Sequence, residues 1–224
     1  MMAHKSAHRS VPQSWTIDRA DGRDDAFYLA GLWHHYFGTG YSHNALPWPL
    51  HDAMGWDNDD NPLLDSCGVV ARHRDVQIGG GIVSIMDHAE AVDELPDGRF
   101  DAGALAGDRN AYLCFGAVDP AWRGQGIGRA LFERRLEWAE RHGAGMVFAF
   151  GWERHAGRTS RPLFEAYDFV PIQQFPKHYA ESRDACPDCG SWPSNDVACR
   201  CEMTLWAREL PIETRTIDDF FTHS

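Results

Sequence analysis

The chain has 224 residues, 43% of them apolar, with nine Trp and 12 Phe, enough to bury a core in one large domain or two small ones. No apolar run approaches the roughly 18 residues of a membrane-crossing helix, and the opening stretch MMAHKSAHRSVPQS lacks the apolar centre of an export signal, so a soluble cytoplasmic chain is expected. The net charge is −12 with no basic patch to interrupt it, which sets nucleic acid and other phosphate backbones aside as partners and favours a cationic amine.

SWTIDRA (14–20) predicts a first strand. From Asp21 the chain turns helical, and Phe27, Leu29, Ala30, Leu32, Trp33 and Phe37 form a broad apolar stripe. His34 and His35 read as surface or half-buried positions of that helix, with no spacing that suggests a metal. Residues 38–66 are rich in Gly, Pro, Asn, Asp and Trp and predict a loop with one short helix near 47–54. CGVVARHRDVQIGGGIVSIM (67–86) predicts two strands around a turn at His73–Asp75, an antiparallel hairpin. The Gly79–Gly81 run within it marks a bulge or a bend. From Asp87 to Asn110 the chain is acidic and irregular, so a long loop is expected, either a functional lid or a mobile segment.

AYLCFGAV (111–118) predicts a buried strand, and a helix is expected over 128–142 because Gly128, Phe132, Leu136 and Ala139 share one face. Gly143 is placed to end it. A strand at 145–152, a short helix at 159–167 and strands at 169–175 and 201–209 complete the series. There is no internal repeat and no clean linker. One domain over 14–210 is expected, between tails at 1–13 and 211–224.

The segment AVDPAWRGQGIGRALFERRL (117–136) sets Gly124, Gly126 and Gly128 between a strand and a helix. The first amides of a helix have no acceptor within it, and its dipole adds partial positive charge at that end. With side chains missing, a phosphate can sit against the main chain. A dinucleotide fold would need G-x-G-x-x-G early in a βαβ unit, and a P-loop would need Gly-Lys-Ser/Thr; neither is present.

VDPAWRGQGIGRAL resembles motif A of the GNAT superfamily of N-acetyltransferases, Arg/Gln-x-x-Gly-x-Gly/Ala, met by Arg123, Gly126 and Gly128. The resemblance covers about 111–175, and the order of elements agrees from residue 14 onward. It implies an α/β (α+β) fold, a mixed and mostly antiparallel sheet with flanking helices. It also implies acetyl-CoA as co-substrate, its pyrophosphate held by the amides of Gly124, Gln125, Gly126, Ile127, Gly128 and Arg129. The main chain of Ala117 and Val118 would pair with the pantetheine arm, and the Val118 amide would face the thioester oxygen. The acceptor would be a primary amine of a small molecule or protein, attacking directly once deprotonated. Homodimers are common among similar proteins, and a homodimer is left open.

The pattern breaks at LFEAYDF, where Phe164 stands at the position of the family's frequent tyrosine. Tyr167, one helical turn later, is the candidate substitute acid. An Asn common before this helix is replaced by Gly157. Glu153 and His155, after the fifth strand, are the candidate bases. Asp119 before Pro120 orders the turn, and Cys114 reads as a structural thiol. These departures keep a second reading in play, a catalytically weak acyl-CoA-binding or zinc-stabilised interaction module.

Cys186, Cys189, Cys199 and Cys201 form C-x2-C-x9-C-x-C. In an extended segment Cys199 and Cys201 point to one side, and four thiolates suit a closed tetrahedral zinc site. Structural zinc is expected over about 180–201; two disulfides or free thiols are the alternatives, with His178 as a substitute ligand.

Overall fold

The computed structural model describes residues 14–37, 66–153, 159–176 and 201–210. Of the predicted loop at 38–66, residues 38–65 lie outside the described residues and Ser66 begins a strand; the loop's short helix, both tails and most of the cysteine-rich segment also lie outside them.

Seven strands form one mixed sheet: β1 (Thr16–Arg19), β2 (Ser66–His73), β3 (Val76–Asp87), β4 (Arg109–Val118), β5 (Met146–Glu153), β6 (Val170–Phe175) and β7 (Glu202–Glu209), in spatial order β1-β2-β3-β4-β5-β7-β6. Every pairing is antiparallel except β4 with β5. Among the described residues the helices are α1 (Gly22–Phe37), α2 (His88–Glu94), α3 (Ala102–Leu105), α4 (Ile127–Arg141) and α5 (Arg161–Ala166), with a 3-10 turn at Pro120–Trp122. No helix among the described residues is long and apolar enough to cross a membrane.

Strand alternation divides the core between the two faces of the sheet. Val83, Ile85, Leu113, Val147 and Trp206 meet Leu131, Phe132 and Leu136 of α4 and Phe164 of α5. On the other face Ile82 and Phe115 meet Leu29 of α1, and Met86, Phe148 and Leu205 meet Ala91 of α2. The stripe expected on α1 is narrower than the sequence suggested: Leu29 and Ala30 are buried, but Phe27 is 60% exposed.

The glycine run in β3 serves both faces. A Cβ at Gly80 would stand 2.5 Å from Leu29 Cδ2 of α1, whereas one at Gly81 would meet the Phe115 carbonyl at 2.8 Å and the Arg135 guanidinium at 3.1 Å. The register slips beside this run, between Ala71 and Arg72 on β2, so the expected bulge is present. Because the Phe115 carbonyl is backbone, it has little freedom to retreat. Gly81→Ala is expected to cost about 1–3 kcal/mol through overpacking, read from urea unfolding midpoints.

Residues 87–110 are not the irregular loop expected. Asp87 accepts from the Glu90 amide at 2.9 Å while Glu90 accepts from the Asp87 amide at 2.8 Å, a reciprocal cap that starts α2. Asp101 caps α3 through the Ala104 amide. Buried Asn110 then holds the turn back into β4, accepting from Gly107 N–H and donating to the Gly107 and Asp87 carbonyls.

Candidate active site

β4 and β5 pair only from Asn110–Met146 to Leu113–Ala149. Beyond that, β4 stays with β3 as far as Val118, and β5 stays with β7 as far as Glu153. The two strands therefore part, leaving the edges of 114–118 and 150–153 facing an opening. The Asp119 N–H bonds the Ile78 carbonyl at 2.9 Å, which makes Val118–Gly79 a non-hydrogen-bonded pair. The backbone groups of Val118 thus turn away from β3 toward the opening. By the same alternation Gly116 does so too, whereas those of Ala117 turn toward Gly80.

The Val118 carbonyl is already engaged. Arg123 Nε donates to it at 3.0 Å and the Tyr36 hydroxyl at 3.4 Å, while Arg123 also donates to Tyr36 at 2.8 Å and lies over its ring. The Val118 amide is left on that edge. Tyr36 of α1 was not singled out from the sequence; it lies 87 residues from Arg123, and no local pattern links them.

Asp119 accepts from the Ala121 amide and starts the 3-10 turn, as expected of it. Gly124 and Gly126 then take φ of 79° and 83°, a region that glycine alone enters at little cost. The first helical bond of α4 runs from Ala130 N–H to the Gly126 carbonyl, and no side chain caps the helix. The amides of Ile127, Gly128 and Arg129 precede that bond and point out of the helix mouth. Among the described residues nothing would come within 4 Å of a Cβ at Gly124, one at Gly126 would meet only a Trp15 ring carbon at 4.0 Å, and one at Gly128 would make an ordinary contact, 3.7 Å from Val118 Cγ2. At its far end α4 closes on Gly143, with φ of 75°, as the sequence suggested.

A buried arginine that sequence reasoning missed stands behind this edge. Arg135 of α4 is 4% exposed and donates to the Phe115 carbonyl at 2.6 Å, to Leu131 and to Ile82. A second register slip, between Ile82 and Ser84, lies beside these carbonyls, and the guanidinium supplies donors where the ladder is interrupted. Gly116 leaves room for it: a Cβ there would stand 2.6 Å from Arg135 Nη2. Burial lowers the pKa of Arg135 to about 10.

The candidate proton carriers are differently placed. Glu153 ends β5 with its side chain 12% exposed; its carboxylate pairs with Arg161 at 3.1 Å and accepts from Thr204 at 3.5 Å. Tyr167, at the end of α5, donates its hydroxyl to Glu133 of α4, and burial together with that carboxylate pushes its pKa well up. Phe164 is buried, stacks on Trp206 at 5.3 Å, and its edge reaches to 3.3 Å from a Cβ built at Gly151. It thus stands behind the β5 edge of the opening without any polar atom. His155 and Gly157 lie outside the described residues.

So do Cys186, Cys189 and Cys199. Cys201 is fully buried immediately before β7. Among the described residues no three His, Cys, Asp or Glu side chains gather as a metal site.

Comparison with known proteins agrees with this architecture. The acetyltransferase (GNAT) family model matches residues 32–169. No curated protein matches the chain. Among solved structures, NAA60 of Arabidopsis thaliana in complex with acetyl-CoA superposes with a TM-score of 0.57 at 13% identity, over 88% of this chain and 98% of that one. YncA of Salmonella typhimurium with its cofactor acetyl-CoA gives 0.51 at 19% identity, over 90% and 97%. The ribosomal-protein-S18-alanine N-acetyltransferase of Escherichia coli gives 0.50 at 17% identity, over 91% and 97%. At these identities the likeness is one of fold, and the family match carries the assignment. The chain belongs to the acetyltransferase (GNAT) family and is an enzyme, an N-acetyltransferase that uses acetyl-CoA.

Proposed function

We propose that the protein moves the acetyl group of acetyl-CoA to a primary amine of a small molecule or protein by direct attack within the β4–β5 opening. The observation that carries this is the helix mouth at Gly124–Arg129, where two left-handed glycines leave the first amides of α4 uncapped, with no close neighbour to the glycines among the described residues. Those amides and the N-terminal end of the helix dipole suit the diphosphate. The pantetheine arm adds to the free edge of β4 like a further strand. The register favours Gly116 and Val118 as its partners, with Ala117 committed to β3. The Val118 amide, its carbonyl partner already taken, donates to the thioester oxygen as charge develops there. The amine, having lost a proton, attacks the carbonyl carbon. The C–S bond breaks, CoA leaves as thiolate and is protonated, and an amide and one proton are the net products. Transfer is tested by incubating the protein with acetyl-CoA and a series of primary amines. The acetylated amine and the released thiol should appear in equal amounts.

A second reading, a CoA-binding module with weak catalysis, is favoured by Phe164, which places a hydrocarbon edge where an acid would assist the leaving thiolate. The Glu153 carboxylate is engaged by Arg161 at 3.1 Å rather than presented freely to the opening, which points the same way. Tight CoA binding without transfer to any amine would favour this reading.

The cysteine-rich segment between β6 and β7 is proposed to close on one structural zinc held by Cys186, Cys189, Cys199 and Cys201. The complete burial of Cys201 at the root of β7 suits a ligand that anchors such a segment. Four thiolates leave no open position, so the metal would fold the insertion without touching the acetyl group. Elemental analysis should find one zinc per chain, lost on replacing Cys186 and Cys189 by Ser. Two disulfides per chain by mass spectrometry under non-reducing conditions would contradict it.

A further inference from the structure

β4 carries an extra residue at the place where it leaves β5. Ile82 faces Phe115 and Ser84 faces Tyr112, so two steps along β3 match three along β4, and Leu113 and Cys114 together stand opposite Val83. Leu113 is also the last β4 residue paired with β5. A bulge leaves main-chain groups without ladder partners. Here the Phe115 and Ile82 carbonyls accept from Arg135 of α4 at 2.6 and 3.5 Å, and the Leu131 carbonyl accepts at 3.2 Å.

Those bonds account for a donor but not for a charge. A neutral amide could serve the same carbonyls, whereas a guanidinium taken out of water is far more costly unless an anion accompanies it. Among the described residues no carboxylate pairs with Arg135. Asp25, the other buried charged group among them, is held by Arg72 of β2. The Phe132 ring, 5.8 Å from the guanidinium carbon, is a weaker partner. Cys114 is the titratable group in the surroundings of Arg135 among the described residues. Burial pushes its thiol up to about 11, Glu94 adds to the effect and Arg135 opposes it, so Cys114 is neutral near pH 7. Arg135, with a pKa of about 10, is charged there and uncompensated.

The charge also lies close to the opening. A Cβ at Gly116 would stand 2.6 Å from Arg135 Nη2, and one at Gly81 would stand 3.1 Å from Nε, so glycine at both positions lets the guanidinium reach the main chain of β4. Gly116 is a residue whose backbone groups turn toward the opening. We propose that Arg135 is a positioning residue for acetyl transfer: it fixes the β4 bulge through Phe115 and Ile82, and it sets an unneutralised positive charge behind Gly116 that favours the departing CoA thiolate. The assignment rests on the acetyl-transfer reading for where CoA lies. In that reaction the amine nitrogen bonds the carbonyl carbon, the C–S electron pair goes to sulfur, and the sulfur is then protonated. Arg135 gives up no proton and acts across the β4 main chain, in surroundings that screen its charge little. Phe164 offers no proton to the leaving sulfur, and a sulfur that departs as a stabilised thiolate depends less on one.

The test reads the ultraviolet absorbance of the CoA thiolate, bound to the protein at mildly alkaline pH, with desulfo-CoA as the blank and no acceptor present. The thiolate-to-thiol ratio of bound CoA should exceed that of free CoA about tenfold. Arg135→Gln, which removes the charge and keeps an amide donor, should abolish most of that excess, while the calorimetric affinity for CoA at neutral pH stays within about threefold. Arg135→Lys, which keeps the charge without the fork, should preserve the excess. Bound CoA that ionises like free CoA, or an excess undiminished in the R135Q protein, would overturn the proposal. If the R135Q protein does not fold, the R135K protein decides: an excess preserved there supports the proposal, and a ratio equal to that of free CoA overturns it. An Arg135-dependent thiolate in a protein that acetylates no amine would overturn the transfer reading and leave the charge behind Gly116 standing.

Discussion

Replacing Gly126 by Val should abolish most of the affinity for CoA while leaving the protein folded. The residue holds φ of 83° at the mouth of α4, and the nearest atom to a Cβ there is a Trp15 ring carbon at 4.0 Å. Space is therefore available, and the folding penalty comes from conformation, on the order of 1–2 kcal/mol for a left-handed residue. The effect on binding is larger. A branched side chain would drive the turn out of its left-handed state and stand over the amides of 127–129. Losing two hydrogen bonds to a charged group, each worth about 1.5–3 kcal/mol, corresponds to about 100-fold in affinity or more. Gly128→Ala is the control. Its Cβ would make only the 3.7 Å contact with Val118, and affinity should stay within about threefold of the original. Calorimetry with CoA and thermal melts of both variants separate the two costs.

The largest stability effect is expected far from the opening, at Asp25. This carboxylate is 2% exposed on α1 and accepts from the Asp21 amide, from Gln77 and from Arg72 of β2. Burial by itself would raise its pKa, but the backbone amide, Gln77 and the Arg72 guanidinium outweigh it and hold the carboxyl below its ordinary value. Asp25→Asn removes the charge and leaves Arg72, among the described residues, with only the carboxylate of Asp18, at 3.5 Å and half exposed. A loss of about 3 kcal/mol is expected, the low end for breaking a buried pair. The sign with pH follows from the lowered pKa. The stabilisation is complete above the unfolded-state value of about 3.9 and disappears as pH falls through the lower folded-state value. Urea unfolding of both proteins from pH 7 downward should show their stabilities converging below about pH 4.

The elements on either side of the site were legible because each carries its own local signal. The hairpin at 67–86 shows in its alternation and turn, and α4 shows in its apolar spacing and closing glycine. The turn at Gly124–Gly128 needed only the two positive φ angles to explain its composition. What stayed hidden depends on partners distant in sequence. Asp25 looks like an ordinary acidic residue of a first helical turn until Arg72 arrives 47 residues later. Arg135 sits in a helix rich in charged residues, and nothing nearby announces that Gly81 and Gly116 have made room for it. Phe27 followed the helical period yet faces solvent, since α1 lays only a narrow strip against Gly68 and Gly80. The caps of α2 and α3 were readable in principle, Asp87 with Glu90 above all. Acidity was taken for irregularity there, although the spacing was that of a helix start.

If backbone amides at the mouth of α4 grip the diphosphate, the most direct measurement compares acetyl-CoA with S-acetylpantetheine, which carries the same thioester and lacks the diphosphate. Titrated calorimetrically into the protein, acetyl-CoA should bind at least about 100-fold more tightly. Most of that difference should vanish in the Gly126→Val protein. Equal affinity for the two thioesters, or a preference that survives the substitution, would contradict it.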